Sequence, residues 1–94
     1  MSDSSMRNIA AVESYGKNIQ NVQQQMMEIF KKLKTQTDQT KAYWDDDMFD
    51  NFSVKFDQDI MKKVQEISVA MNMFAKYVEE MTKIHRMAQN QKYY

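Results

Sequence analysis

From Ile9 onward the chain alternates apolar and polar residues with a helical rhythm. Ile9, Val12, Tyr15, Ile19, Val22, Met26, Ile29 and Leu33 follow one another at intervals of three and four. That average is close to the roughly 3.5-residue period of a coiled-coil seam. Ala11, Met27 and Phe30 widen the line to the face of a bundle helix. Asn18, Gln20, Gln23, Gln24, Gln25, Lys31, Lys32 and Lys34 fill the intervals and can face water. Beyond Leu33 the register continues in polar form through Thr37 and Thr40. The pattern predicts helix 1 over about residues 5–42, capped by Ser4 or Ser5 and less firmly held in its last turns.

The rhythm resumes after a break at about residues 43–46. Phe49, Phe52 and Phe56 recur at three and four, which places the three rings on one helical face. Ile60, Val64, Ile67, Met71, Phe74, Val78, Met81, then Ile84 or His85, and Ala88 carry that face onward. Helix 2 is therefore predicted over about residues 47–89, with a flexible tail at 90–94. Asp45, Asp46 and Asp47 suit a helix start, because their oxygens accept from first-turn amides and their charge meets the positive end of the helix dipole. Trp44, the only tryptophan, offers a ring able to bury roughly 150–250 Å² and so to lock the two helix ends together. The expected fold is all-α, a single helix-turn-helix hairpin over residues 1–94. At ~1.5 Å per residue, helices of this length make a rod roughly 60 Å long.

Composition sharpens this picture. With no Pro and one Gly, Gly16, few residues can break a helix, and Gly16 either admits a facing helix closely or is simply tolerated. Two helices have little interior of their own, and the absence of Cys removes disulfides and thiolate metal sites. Pairing with another chain is the remaining remedy. The combined core and pairing face comprises Val12, Ile19, Val22, Met26, Ile29, Leu33, Ile60, Val64, Ile67, Met71, Phe74, Val78 and Met81. Ten methionines fit this role, since their flexible side chains fill irregular gaps in cores and interfaces.

Thirteen basic and thirteen acidic residues give zero formal charge, which lacks the electrostatic footprint of a nucleic-acid binder. No apolar run approaches the ~20 residues of a membrane span, and MSDSSMRNIA lacks the regions of a cleavable signal. No cofactor is expected. His85 is the only histidine, with no Glu three residues before it and no neighbouring nucleophile or carboxylate dyad, so the expected protein is not an enzyme. The Asp45, Asp46, Asp47 and Asp50 cluster lacks the glycine and alternating ligands of a calcium loop, which favours capping over metal binding.

The length, the helical pattern on both sides of an aromatic turn, and the string Trp44-Asp45-x-x-x-Phe49-x-x-Phe52-x-x-x-Phe56 resemble the WXG family, the ESAT-like helical hairpins of type VII secretion systems. The family places glycine two residues after the tryptophan, where this chain has Asp46. The turn motif is thus Trp44, Asp45 and Asp46, with Phe49, Phe52 and Phe56 packed beside it. The turn is then made without the residue most tolerant of positive φ; aspartate visits that region more readily than most other residues, and Asp46 either keeps the family's turn or serves as a helix cap. The tyrosine-x-x-x-acid export signal common after the second helix is also absent: Tyr77 is followed at that distance by Met81.

The resemblance implies an antiparallel hairpin that pairs into an elongated four-helix bundle, as a homodimer or as a heterodimer with a related hairpin. It further implies a protein made in the cytoplasm, secreted without a cleavable signal peptide, and partnered by the type VII machinery or a larger helical-domain cargo. Stable membrane insertion is not expected. The alternative is an intracellular helical adaptor that targets a larger secreted toxin.

Overall fold

A computed structural model of the chain describes residues 6–91. They form a rod with principal extents of 72 × 18 × 15 Å. The described residues are helical apart from the N-terminal stretch before Ile9 and the turn, with no strand among them. The first arm is α1 (Ile9–Thr40). The second arm comprises α2 (Asp47–Lys55), a π-helical turn (Phe56–Met61) and α3 (Lys62–Gln91). The two arms lie side by side in opposite directions, as an all-helical hairpin requires: Glu13 near the start of α1 meets Arg86 near the end of α3, and Lys34 meets Asp57 beside the turn.

The helix ends depart from the sequence pattern for identifiable reasons. The first arm starts at Ile9 rather than near residue 5, because the Asn8 side chain accepts from the Ala11 amide at 3.0 Å and closes the first turn. Ser4 and Ser5 lie outside the described residues. The helix ends at Thr40 rather than 42, and the amides of Lys41, Ala42 and Tyr43 then bond back to the carbonyls of Asp38, Gln39 and Thr40 in a tightened final turn. The polar continuation stays helical because the Thr37 and Thr40 hydroxyls donate to the Leu33 and Gln36 carbonyls, at 2.8 and 2.7 Å. Asn90 and Gln91, expected in the tail, belong to α3, and residues 92–94 lie outside the described region.

The second arm is one continuous rod but not one regular helix. Phe49 and Phe56 are buried seven residues apart, and the next buried apolar residue, Val64, comes eight residues later. In a regular α-helix a step of eight would rotate Val64 roughly 80° away from Phe56. The wider π-helical turn, in which the Lys62 amide reaches back five residues to the Asp57 carbonyl, absorbs the extra residue and keeps both side chains inward.

The inner seam is made of small residues. On α3 it runs Val64, Ser68, Met71, Ala75, Val78, Thr82 and His85, again at fours and threes. Facing it on α1 are Ile9, Val12, Gly16, Ile19, Gln23, Met26 and Phe30, continuing to Thr37. The arms approach closely at Gly16, where an added Cβ would lie 3.1 Å from Val78 Cγ1. Gly16 therefore has a packing role, which settles the two readings of it. Polar members of the seam are satisfied locally: Gln23 donates to the Ser68 hydroxyl, and Thr82 donates to the Glu79 carbonyl. Among the described residues no buried side-chain nitrogen or oxygen lacks a partner.

Replacing Gly16 by leucine forces the arms apart at this contact, and the expected cost is about 1–3 kcal/mol. Urea unfolding followed by helical circular dichroism, at one fixed protein concentration, measures it. Unchanged stability in Gly16→Leu would mean that the arms are not in contact there.

Candidate functional site

The inner seam and the apolar stripe visible in the sequence share Ile9, Val12, Ile19, Met26, Val64, Met71 and Val78. They part company at the larger residues. Gly16, Ser68, Ala75 and Thr82 occupy the close approach, so Tyr15, Val22 and Ile29 of α1 and Ile67 and Phe74 of α3 fall beside the seam rather than in it. All five are exposed, Ile29 by 62 % and Phe74 by 48 %. The Tyr15 and Phe74 rings meet edge-on with centroids 6.3 Å apart, which places the two exposed lines on the same side of the hairpin. Of the remaining stripe residues, Val64 and Val78 are buried, Val12, Ile19, Met26, Met71 and Met81 are half-buried, and Leu33 and Ile60 are exposed.

The opposite side of the hairpin is polar. Glu13 and Lys34, three heptads apart on α1, reach across it to the second arm. Arg86 grips Glu13 through two hydrogen bonds of 2.8 and 2.7 Å, and this bidentate pairing holds the Glu13 carboxyl below its usual range. Lys34 bridges Asp38 and Asp57 at 2.9 and 3.0 Å, which raises its pKa. A shallow groove over Gly16 and Ala75 on this side is rimmed by Glu13, Lys17, Glu79 and Lys83. One side is thus stapled by ion pairs and the other presents hydrocarbon.

The apolar side continues to the turn. Phe49 and Phe56 are buried beneath an open groove bordered by Leu33, Thr40, Trp44, Phe52 and Ile60. Trp44 is 47 % exposed rather than buried as expected: it leans on Phe49, with centroids 5.2 Å apart, while Phe52 stacks on the same ring at 6.2 Å and stays half-exposed. One ring, Phe49, carries the turn packing, and its two aromatic neighbours form part of the surface.

The turn is made without a left-handed residue. Asp46 has φ −145° and ψ 172°, and no residue among those described has a positive φ, so of the two roles open to Asp46 the structure shows the cap. Asp46 is the N-cap of α2. One carboxylate oxygen accepts the Phe49 amide at 2.8 Å and the other accepts the Trp44 indole N–H at 2.9 Å. These bonds, the Phe49 amide foremost, hold the Asp46 carboxyl below its usual value of 3.8. Asp50 bonds Lys41 at 2.7 Å, and Asp45 lies 3.9 Å from the same ammonium, so three of the four clustered aspartates have structural partners. His85 is half-buried, with Nδ1 2.9 Å from the Met81 carbonyl. Among the described residues no helix is long and apolar enough to cross a membrane.

Gly16, Ser68, Ala75 and Thr82 are the seam residues that a search for large apolar residues passes over. Their signal is the same three-and-four spacing, written in small side chains. No protein-family model, curated protein or solved structure matches the chain.

Asp46→Ala should lower the thermal unfolding midpoint at neutral pH. The depressed folded-state pKa means that the carboxylate's contribution is present above about 3.8 and is lost as pH falls through the lower folded value. The gap between wild type and variant therefore narrows on acidification, as a series of melts at decreasing pH will show. A gap independent of pH would assign the effect to packing rather than to the charged cap.

Proposed function

We propose that the chain is a non-enzymatic small protein exported by a type VII secretion system, acting as a dimeric substrate or export partner. The observation that carries this reading is the apolar side of the hairpin, where Tyr15, Val22, Ile29, Ile67 and Phe74 stand exposed along the rod. A surface of this kind on a small chain marks a protein partner. The WXG-like turn motif at Trp44, Asp45, Phe49, Phe52 and Phe56 supports the type VII assignment. In this reading two hairpins close their apolar sides against each other as an elongated four-helix bundle, and the pair is secreted. The acidic turn, with Asp45 and Asp47 exposed, remains free for the exporter or a larger helical cargo.

The second reading is an intracellular adaptor that offers the same apolar side to a helical domain of a larger secreted toxin. The missing tyrosine-acid spacing after Tyr77 favours it.

The expected particle has twice the chain mass by light scattering. Ile29→Asp or Phe74→Asp should dissociate it by placing an unpaired charge at the contact; variants that keep the wild-type mass and helicity would remove the apolar side from the interface. Mass spectrometry of culture supernatant and cell pellet, in the parent strain and in one lacking the type VII membrane ATPase, separates the two readings. Release that requires the ATPase supports the exported dimer. Retention in both strains, while the system exports another substrate, supports the adaptor.

A further inference from the structure

The two arms are not equivalent on their exposed sides. Past the inner seam, α3 carries a second complete line at threes and fours: Ile67, Ala70, Phe74, Tyr77, Met81, Ile84 and Ala88. Of its large members Ile67, Phe74, Tyr77 and Ile84 stand in the open, Tyr77 by 59 % and Ile84 by 56 %, while Met81 is half-buried. On α1 the equivalent line reads Tyr15, Asn18, Val22, Gln25, Ile29 and Lys32, apolar at every second position only. A helix with two seams on adjoining sides belongs between two neighbours, and the hairpin supplies one of them.

We infer that the second neighbour is α3 of another copy of this chain, lying antiparallel. The inference rests on the dimeric reading above and specifies which helices meet. Pairing α3 with α3 brings two fully apolar lines together, whereas pairing it with α1 would cover its seam with Asn18, Gln25 and Lys32. The residues bordering the line select the register. They are Glu66, Met73, Glu80 and Met87, alternating acid and methionine, and both methionines are exposed. In antiparallel packing this border meets its own counterpart. When Phe74 faces Tyr77 of the partner subunit, Glu66 lies beside Met87 of the partner subunit and Met73 beside Glu80 of the partner subunit. Sliding one copy by a heptad in one direction sets Glu80 against Glu80 of the partner subunit. Sliding it the other way sets Glu66 against Glu80 of the partner subunit. Like charges facing each other disfavour both slips, and the unshifted register alone avoids them. Such a twofold contact closes on itself and leaves no second apolar line to propagate a filament.

In this register Ala70 faces Met81 of the partner subunit, and the absence of native cysteine makes the contact directly testable. Ala70→Cys/Met81→Cys, oxidised in air, should run as a covalent dimer on a non-reducing gel. The two positions sit about 16 Å apart along one helix, too far to join within a chain. Ala70→Cys alone and Met81→Cys alone should stay single chains, since each lies as far from its own counterpart. Spin labels at Lys76 and Asn90, which leave the seam intact, give a second readout: the distance between copies should be short at Lys76 and longer by tens of ångströms at Asn90. A wild-type particle of single-chain mass would overturn the dimeric reading and this inference together. A particle of twice that mass whose double-cysteine variant stays uncoupled, with labels at Asn90 as close as those at Lys76, would overturn the α3 pairing alone. Coupling by either single variant would overturn the antiparallel register.

Discussion

The close approach of the two arms at Gly16 is the constraint on which the other features depend. A helix can come this near only where side chains are small, and the seam supplies Gly16, Ser68, Ala75 and Thr82 at the contact. Small residues, however, bury little hydrocarbon, so the hairpin draws modest hydrophobic stabilisation from its own interior. The larger residues, displaced to one flank, hold apolar surface that a lone hairpin leaves in water. Stability and association are therefore coupled through the same geometry. Closing the arms tightly is what pushes Phe74, Ile67 and Ile29 outward.

Polar contacts then supply what the seam lacks in specificity. Antiparallel helices with repeating small residues could slip by a heptad at little cost. Glu13 with Arg86 at the open end, Gln23 with Ser68 midway, and Lys34 with Asp57 near the turn tie the arms at three separate levels. Exposed ion pairs contribute little to stability individually. Their use here is to make one alignment better than its neighbours. The π-helical turn serves the same alignment, since it brings the aromatic tip and the long α3 seam into phase despite the extra residue between Phe56 and Val64.

Much of the fold is legible in the sequence, because three-and-four spacing depends on backbone geometry alone. The helical state of both arms and the presence of a break between them follow from it, though the pattern puts that break at about residues 43–46 and α1 ends at Thr40. The angular position of the inner line does not. Reading the largest residues as innermost shifts the stripe by one position, from Gly16 to Tyr15 and from Ala75 to Phe74, since sequence spacing cannot tell which of two adjoining lines a neighbour covers. The Asp46 cap is readable as a helix start, but residue type alone does not separate a left-handed turn position from a cap, and only the extended backbone at Asp46 decides for the cap. The π-helical turn leaves one trace, the eight-residue step between Phe56 and Val64. That step is visible as an irregularity only once the inner line is known.

Trp44 stands at one extremity of a rod 72 Å long, and there is no second indole anywhere in the chain. Its emission therefore originates wholly at the tip, coloured by the Phe49 ring beneath it and the Asp46 carboxylate at its N–H. Far-ultraviolet dichroism, by contrast, sums over both arms. The molecule thus carries a built-in optical separation between its end and its length: a colour change in the fluorescence while the dichroism holds steady is the tip loosening on its own, and the two moving together is the whole rod giving way.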